Sequence, residues 1–549
     1  MSPALCGGME LSMFHTDLWD VVRHLGAGNI GLEKEGLRVT RDGFMAQTRD
    51  PFIGNPNIVK DFSENQTEIN TPVCSCVREA VESLEEYSAL IRKTIGAMPE
   101  PELLWPFSNP PYIRDESDIP VAQYEGDEWV KTEYRNYLAG RYGKYMMTFS
   151  GIHYNYSFSD ELLQAEYEAV RRSEAEAGEA ESGVAEAVDA CSVEAGARSY
   201  SSFREFKDHF YVSLASKMLV YNWLIVAVTA ASPILDSSYL EKGKIGESAF
   251  NGMSSVRCSE MGYWNFFTPV LDYSSIEKYA DSILGYIQYG MIRGESELYF
   301  PIRLKPAGKY SVAKLKEEGV SHIELRMIDL NPYRPEGLDV RDAEFIKLLL
   351  IYLAALPDRE ITPHEQIQAV KNTKNAAHYD ISMVKIVLPG SDEALKLCRG
   401  EKISPADSYM EKGAETTDLV SAALCVIGKM EAFYAGIAER FAQTAAGDCQ
   451  AQQENGDCQA QPENGDCQAQ QENADCAAQP ENRDCQAQQE NADCMAQLAA
   501  AAEEVKAVLA YQRKKFEVPE ERYAFRVREE YGEGFVEKGL ELARRYSEE

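Results

Sequence analysis

Alternating apolar and polar side chains mark four short stretches of this chain as half-buried strands, because successive residues of an extended strand point to opposite faces. In GLEKEGLRV (31–39), Glu33 and Glu35 share a face, and in DFSENQTEINTP (61–72) so do Glu64, Gln66 and Glu68. FSGIHYNYSF (149–158) sets His153, Asn155 and Ser157 against Ile152, Tyr154, Tyr156 and Phe158. SHIELRMIDLNPY (321–333) sets His322, Glu324 and Arg326 against Ile323, Leu325 and Met327. The longest apolar run, WLIVAVTAA (223–231), reads as part of a buried helix that begins near Phe203 and stops at Pro233. It is too short to cross a bilayer, which takes about 20 apolar residues. Helical periodicity returns over 498–549, and this closing segment is predicted to pack back on the core.

Composition adds that a chain of 549 residues with 44% hydrophobic content can bury a sizeable core. A net charge of −34 argues against nucleic acid or anionic membrane partners, but half of it is local. Residues 174–194 hold seven acidic and no basic side chains, inside an Ala/Glu/Gly-rich insertion at about 165–198. Residues 447–496 hold eleven acidic and one basic, within a nine-residue repeat (GDCQAQQEN, GDCQAQPEN and variants) that fills about 445–497. Nine matches no helical heptad and the units offer no apolar face, so the repeat is expected to be flexible or weakly ordered. It contains six of the thirteen cysteines, evenly spaced in a way that fits no zinc or haem motif. The other seven are scattered, which fits a reducing compartment. MSPALCGGME has no basic region followed by an apolar core, and a cytoplasmic location follows. The predicted organisation is a catalytic core at 15–440 carrying the acidic insertion, then the repeat, then the closing helices.

Carboxylates crowded on neighbouring strands repel one another unless a positive charge lies between them. Mg²⁺, a hard ion with oxygen ligands that often bridges to nucleotide phosphates, is the usual answer. The competing reading is that each acidic run is the solvated face of an ordinary edge strand. Four strands presenting oxygen, imidazole and guanidinium groups from the polar side of an apolar sheet favour a site built on a sheet face.

The strings GLEKEGLRV, DFSENQTEINTP, FSGIHYNYSF, SSVRCSEMGYWN, ELYFPIRLKP and HIELRMIDLNPY occur here in order. Together they resemble the bacterial glutamate–cysteine ligases (γ-glutamylcysteine synthetases), over roughly residues 25–440. The resemblance implies an α+β fold similar to glutamine synthetase, with a curved antiparallel sheet forming a funnel and helices packed outside. It also implies a reaction in which ATP phosphorylates the γ-carboxylate of L-glutamate and the amine of L-cysteine displaces phosphate. The product is γ-glutamylcysteine, the first intermediate of glutathione biosynthesis.

By the same resemblance, Glu33, Glu35, Glu68, His153 and Glu324, with Asp61 beside them, are metal ligands for Mg²⁺ or Mn²⁺. Arg257 and Arg326 hold phosphate oxygens during transfer, and Arg303 joins them around the nucleotide. Tyr134, Arg135, Tyr263 and Tyr299 line the pocket of the substrate amine. Cys258 and Trp264 stand in the pocket motif where the family pattern predicts neither, which leaves the amine acceptor open. A carboxylate–amine ligase using a different amine would keep the metal site and change this pocket. A non-catalytic nucleotide- or metal-binding protein is the alternative from another class. The chain ends before there is room for an ATP-grasp domain, which disfavours the bifunctional glutathione-making form. Oligomeric state is not legible.

Overall fold

The computed structural model describes residues 14–15, 18–181, 199–387, 416–456 and 500–548. The parts of the acidic insertion and of the repeat at 182–198 and 457–497 lie outside the described residues. The strands as far as residue 329 are β1 (Gly28–Thr40), β2 (Ile58–Lys60), β3 (Gln66–Asn70), β4 (Glu102–Leu104), β5 (Gly151–Phe158), β6 (Ile234–Asp236), β7 (Ser248–Phe250), β8 (Ile302–Lys305) and β9 (His322–Asp329). Seven of them form one sheet in the order β2-β3-β1-β5-β9-β8, with β4 on the far half of β1. Every pair in it is antiparallel, as an α+β architecture requires.

One face of this sheet is apolar and packs on helices. Ile30 and Leu32 of β1, Ile152, Tyr154, Tyr156 and Phe158 of β5, and Ile323, Leu325 and Ile328 of β9 are buried in the main core. The helices Val77–Gly96, Phe203–Thr229 and Val340–Ala355 supply the other half of that core. Helix Phe203–Thr229 starts at Ser202, whose side chain accepts from the Glu205 N–H. Its C-terminal half, from Met218 onwards, is almost wholly apolar on all sides because it is enclosed. By length and composition alone it passes as a membrane span, contrary to the expectation from the nine-residue run, but 94% of its most apolar window is buried in the fold. A second helical stretch, Leu419–Arg440, passes the same test with 28% of its window buried.

The other face of β1 divides in two. Glu33 and Glu35 open onto the polar side, whereas Leu37 and Val39 continue the same alternation into a second apolar cluster with Trp105, Phe107 and the helix Phe535–Glu548. That helix therefore closes one end of the polar face. Its Gly539 lies so close to Trp105 that an added Cβ would sit 2.3 Å from the indole. A further closing helix, 500–517, adds Val508, Leu509 and Phe516 to the main core. The first repeat unit, 447–455, continues the helix Leu419–Gly456.

Candidate active site

Strand register assembles the polar face. Antiparallel pairing puts Glu35 opposite Glu68 and Glu33 opposite His153. It also puts Glu324 opposite both Asn155 and Arg303. Five strands thus converge on one patch. His153 Nδ1 lies 2.7 Å from Glu33 Oε2, and Asn155 Nδ2 donates to Glu33 Oε1 at 3.1 Å. The Gly151 N–H donates to Glu35 Oε2 at 2.9 Å. Ligand atoms of Glu33, His153 and Glu324 all fall within 4.8 Å of one another, close enough to share one cation.

Positive charge enters from β8 and β9. Arg326 Nη1 donates to Glu324 Oε1 at 3.0 Å, and Lys305 Nζ lies 3.1 Å from the same oxygen. Burial pushes the Glu324 carboxyl up, but Arg326, Lys305, Arg303 and His153 outweigh it and hold the group well below the usual range. The opposite holds across the patch. Burial, then the Asp61 charge, pushes Glu35 up to about 8 against Arg257 and Arg326. Glu68 stands well above its ordinary value through burial and the nearby Asp61, Glu33 and Glu35.

That imbalance tests the fit of a divalent cation. Three carboxylates, Asp61, Glu35 and Glu68, are crowded together, the charges of Arg257, Arg326 and Arg135 do not offset burial and mutual repulsion at Glu35 and Glu68, and Glu324 Oε2 is buried without a hydrogen-bond partner. A donor set of carboxylates and one imidazole suits Mg²⁺ or Mn²⁺ and lacks the thiolates of a structural zinc site. The residues fit the ion that the sequence implied.

Beside the carboxylates is a cavity of about 110 Å³, lined by Glu35, Asp61, His153, Arg257 and Arg326. Tyr263 and Tyr299, ring centroids 4.0 Å apart, line it as well. Cys258 and Trp264 are in the wall as well, so the departure from the family pattern falls on the cavity itself. Of the remaining candidates, Tyr134 packs in the same apolar cluster as Tyr263 and Tyr299 without lining the cavity, its buried hydroxyl unpartnered. Arg135 donates to the Asp61 carbonyl and stacks on Tyr124. Arg303 donates to the carbonyls of Leu298 and Ser296 and is 3.9 Å from Glu324, so its hydrogen bonds go to the protein.

Two local readings are corrected. Glu64 lies before β3, where it pairs with Lys60 and accepts from the Gln123 N–H, so it does not share the site face with Glu68. The alternation along β9 is broken by a bulge: pairing jumps from Ile152 with Ile328 to Tyr154 with Leu325, two steps on β5 against three on β9. The extra residue lets Arg326 and Met327 both line the cavity. Sequence reasoning also passed over Lys305, although its spacing of two from Arg303 puts it on the same strand face.

A sequence model of the glutamate–cysteine ligase family matches residues 19–292 and 266–376. The glutathione biosynthesis bifunctional protein GshAB of Listeria welshimeri is 34% identical over 407 residues, 72% of this chain and 47% of that protein. The glutamate–cysteine ligase of Clostridium acetobutylicum is 30% identical over 403 residues, 64% of this chain and 77% of that one. The chain thus spans about half the length of the bifunctional relatives it matches. The crystal structure of the glutamate–cysteine ligase of Francisella tularensis, in complex with AMP, superposes with a TM-score of 0.65 at 19% identity, covering 95% of this chain and 88% of that one. That of a bifunctional glutathione synthetase from Pasteurella multocida gives 0.63 at 22%, covering 96% of this chain and 53% of that one. The overall fold is therefore shared with these structures, and the sequence match over more than half its length makes this chain a member of the glutamate–cysteine ligase family.

Proposed function

We propose that the protein joins L-glutamate, through its γ-carboxylate, to the amine of L-cysteine at the expense of ATP, by way of γ-glutamyl phosphate. The observation that carries the reading is the convergence of Glu33, His153 and Glu324 from three strands, beside a cavity that His153 lines together with Arg257 and Arg326. Phosphoryl transfer onto a carboxylate brings two anions together, so the protein's part is positioning and charge compensation. Glu33, His153 and Glu324, with Glu35, Glu68 and Asp61, would hold Mg²⁺. Bound there, the ion neutralises phosphate charge. Arg257 and Arg326 offer guanidinium N–H groups to phosphate oxygens, a geometry suited to paired acceptors. Tyr263 and Tyr299 form an aromatic wall that packs against the acceptor amino acid and excludes water from the reacting centre. With the γ-carboxyl phosphorylated, the acceptor's neutral amine attacks the acyl carbon, phosphate leaves, and the amine loses its proton.

The test is ADP release by the purified full chain with Mg²⁺, ATP and glutamate, with and without cysteine, the product being identified by mass. Cysteine-dependent release with γ-glutamylcysteine formed is the expected result. Release with another amine keeps the phosphoryl-transfer assignment and replaces the acceptor. No release with any amine overturns the reading in favour of a non-catalytic nucleotide- or metal-binding protein.

A further inference from the structure

Asp329, the last residue of β9, is buried and has no part in the roles assigned above. Its Oδ2 accepts from the Ala231 N–H at 3.0 Å and from the Ser232 hydroxyl at 2.6 Å, and its Oδ1 accepts from the Ser255 hydroxyl at 2.9 Å. The Ser255 oxygen in turn accepts from the Cys258 N–H at 3.2 Å. Ser255 and Cys258 bracket Arg257, and Arg257 Nη1 lies 3.9 Å from Asp329 Oδ1. One carboxylate therefore touches the turn from which Arg257 projects and faces the guanidinium at its tip.

The rest of the surroundings leave that guanidinium little freedom. Arg257 Nη2 donates to the Arg326 carbonyl at 2.6 Å. A Cβ on Gly151 would lie 2.2 Å from Nη2, and one on Gly262 would lie 1.8 Å from the Arg257 carbonyl oxygen, so side chain and backbone are each pressed against a glycine. The two neutral donors on Oδ2 would be served as well by the single oxygen of an amide, and the Ser255 hydroxyl on Oδ1 can turn to accept from the amide nitrogen. A full negative charge in a buried place is costly unless a cation answers it, and the cation beside it is Arg257. Fixing a long side chain in advance also removes part of the ordering cost when it meets a ligand.

We propose that Asp329 is the positioning residue of Arg257: it holds the guanidinium on the Arg326 carbonyl and the Gly151 surface, where it lines the cavity. The kinetic consequence rests on the ATP-dependent reading above, whereas the structural consequence does not.

Four full-length variants test it: Asp329→Asn, Gly151→Ala, Arg257→Lys and the Asp329→Asn/Arg257→Lys double. Asp329→Asn is expected to lower kcat about 10- to 100-fold, the size of effect that misplacing a reacting group produces. In the Arg257→Lys background the same change should cost less than about twofold, because contacting residues that act through one another are not additive. Gly151→Ala removes no hydrogen-bonding group and displaces only the flexible end of Arg257, so it should reproduce the kcat loss with Tm unchanged. Equal costs of Asp329→Asn in both backgrounds, with Gly151→Ala silent, would overturn the proposal and leave Asp329 as a tie between loops. If Asp329→Asn fails to fold, Asp329→Glu keeps the charge, shifts it by one methylene, and must show the same non-additivity. If the wild-type protein turns over no amine, the functional reading fails by itself. A crystal structure of the aspartate variant then decides: the guanidinium should leave the Arg326 carbonyl, and an unmoved Arg257 refutes the positioning role.

Discussion

Glu33 shows how much a single side chain depends on its partners across strands. Burial would raise its carboxyl, yet the hydrogen bond and charge of His153 reverse the direction and keep it low. Glu33→Gln preserves shape and the contact with Asn155 but removes the charge. It should cut ATP turnover by at least about 100-fold, the scale seen when one electrostatic contributor to a transition state is lost. Far-ultraviolet circular dichroism should be unchanged, and wild-type turnover in this variant would remove Glu33 from the site. Tyr263, whose ring lies tilted against that of Tyr299 in the cavity wall, makes a different prediction. Tyr263→Ala should raise KM for the amine about tenfold, equivalent to ~1.4 kcal/mol of binding, with KM for ATP much less affected. Steady-state kinetics with each substrate varied in turn will show whether the effect is confined to the amine.

Element by element, legibility followed how local the signal was. The alternation on β5 was complete in the sequence, because Ile152, Tyr154, Tyr156 and Phe158 face the core with nothing interrupting the period of two. On β9 the same reasoning reached Glu324 and Arg326 and put Met327 with the core, where it packs, but missed that Met327 also lines the cavity, since a bulge is set by pairing with β5 and leaves no mark in the residue pattern. Helix Phe203–Thr229 was predicted from its start to its proline stop, but not what fastens it. Asp358 does so, lying 2.7 Å from His209 and 3.1 Å from Lys217 and accepting from the Ser213 hydroxyl. Burial pushes that carboxyl up, but these partners hold it at about 2, below its ordinary value of 3.8. Because the folded pKa is the lower one, the unfolded chain takes up the proton first as pH falls. The stabilisation is complete above pH 3.8 and is lost as pH falls through about 2. Asp358→Asn should therefore destabilise the protein at neutral pH and flatten the acid limb of its stability curve. Urea titrations at pH 7 and at pH 3 would expose a wrong sign directly.

At the scale of the whole molecule, the closing helices are tied to the core by a buried ion pair. Lys515 Nζ lies 2.6 Å from Asp342 Oδ1, donates to the Val228 carbonyl at 2.8 Å and sits 4.1 Å from the Tyr523 ring centroid. Gln512 and the Tyr523 hydroxyl donate to the same carboxylate. Lys515→Met leaves Asp342 buried without its cation and should cost about 3–5 kcal/mol. Replacing both residues with apolar ones should recover much of that loss; equilibrium denaturation of the single and double variants is the check. By itself the sequence determined the alternation on β1 and β5, most of the acidic and basic groups on the polar side of the sheet, and the family those motifs belong to. These properties reside in neighbouring residues and in the order of motifs along the chain. Only the tertiary structure decided that Glu33 meets His153, that Glu35 meets Glu68, that Arg303 spends its hydrogen bonds on carbonyls, and that Asp329 stands behind Arg257. The carboxylate meetings depend on register and the contact behind Arg257 on residues far apart in sequence, whereas Arg303 turns to nearby carbonyls through the local course of the chain; a one-residue slip in pairing would turn the strand side chains to the other face.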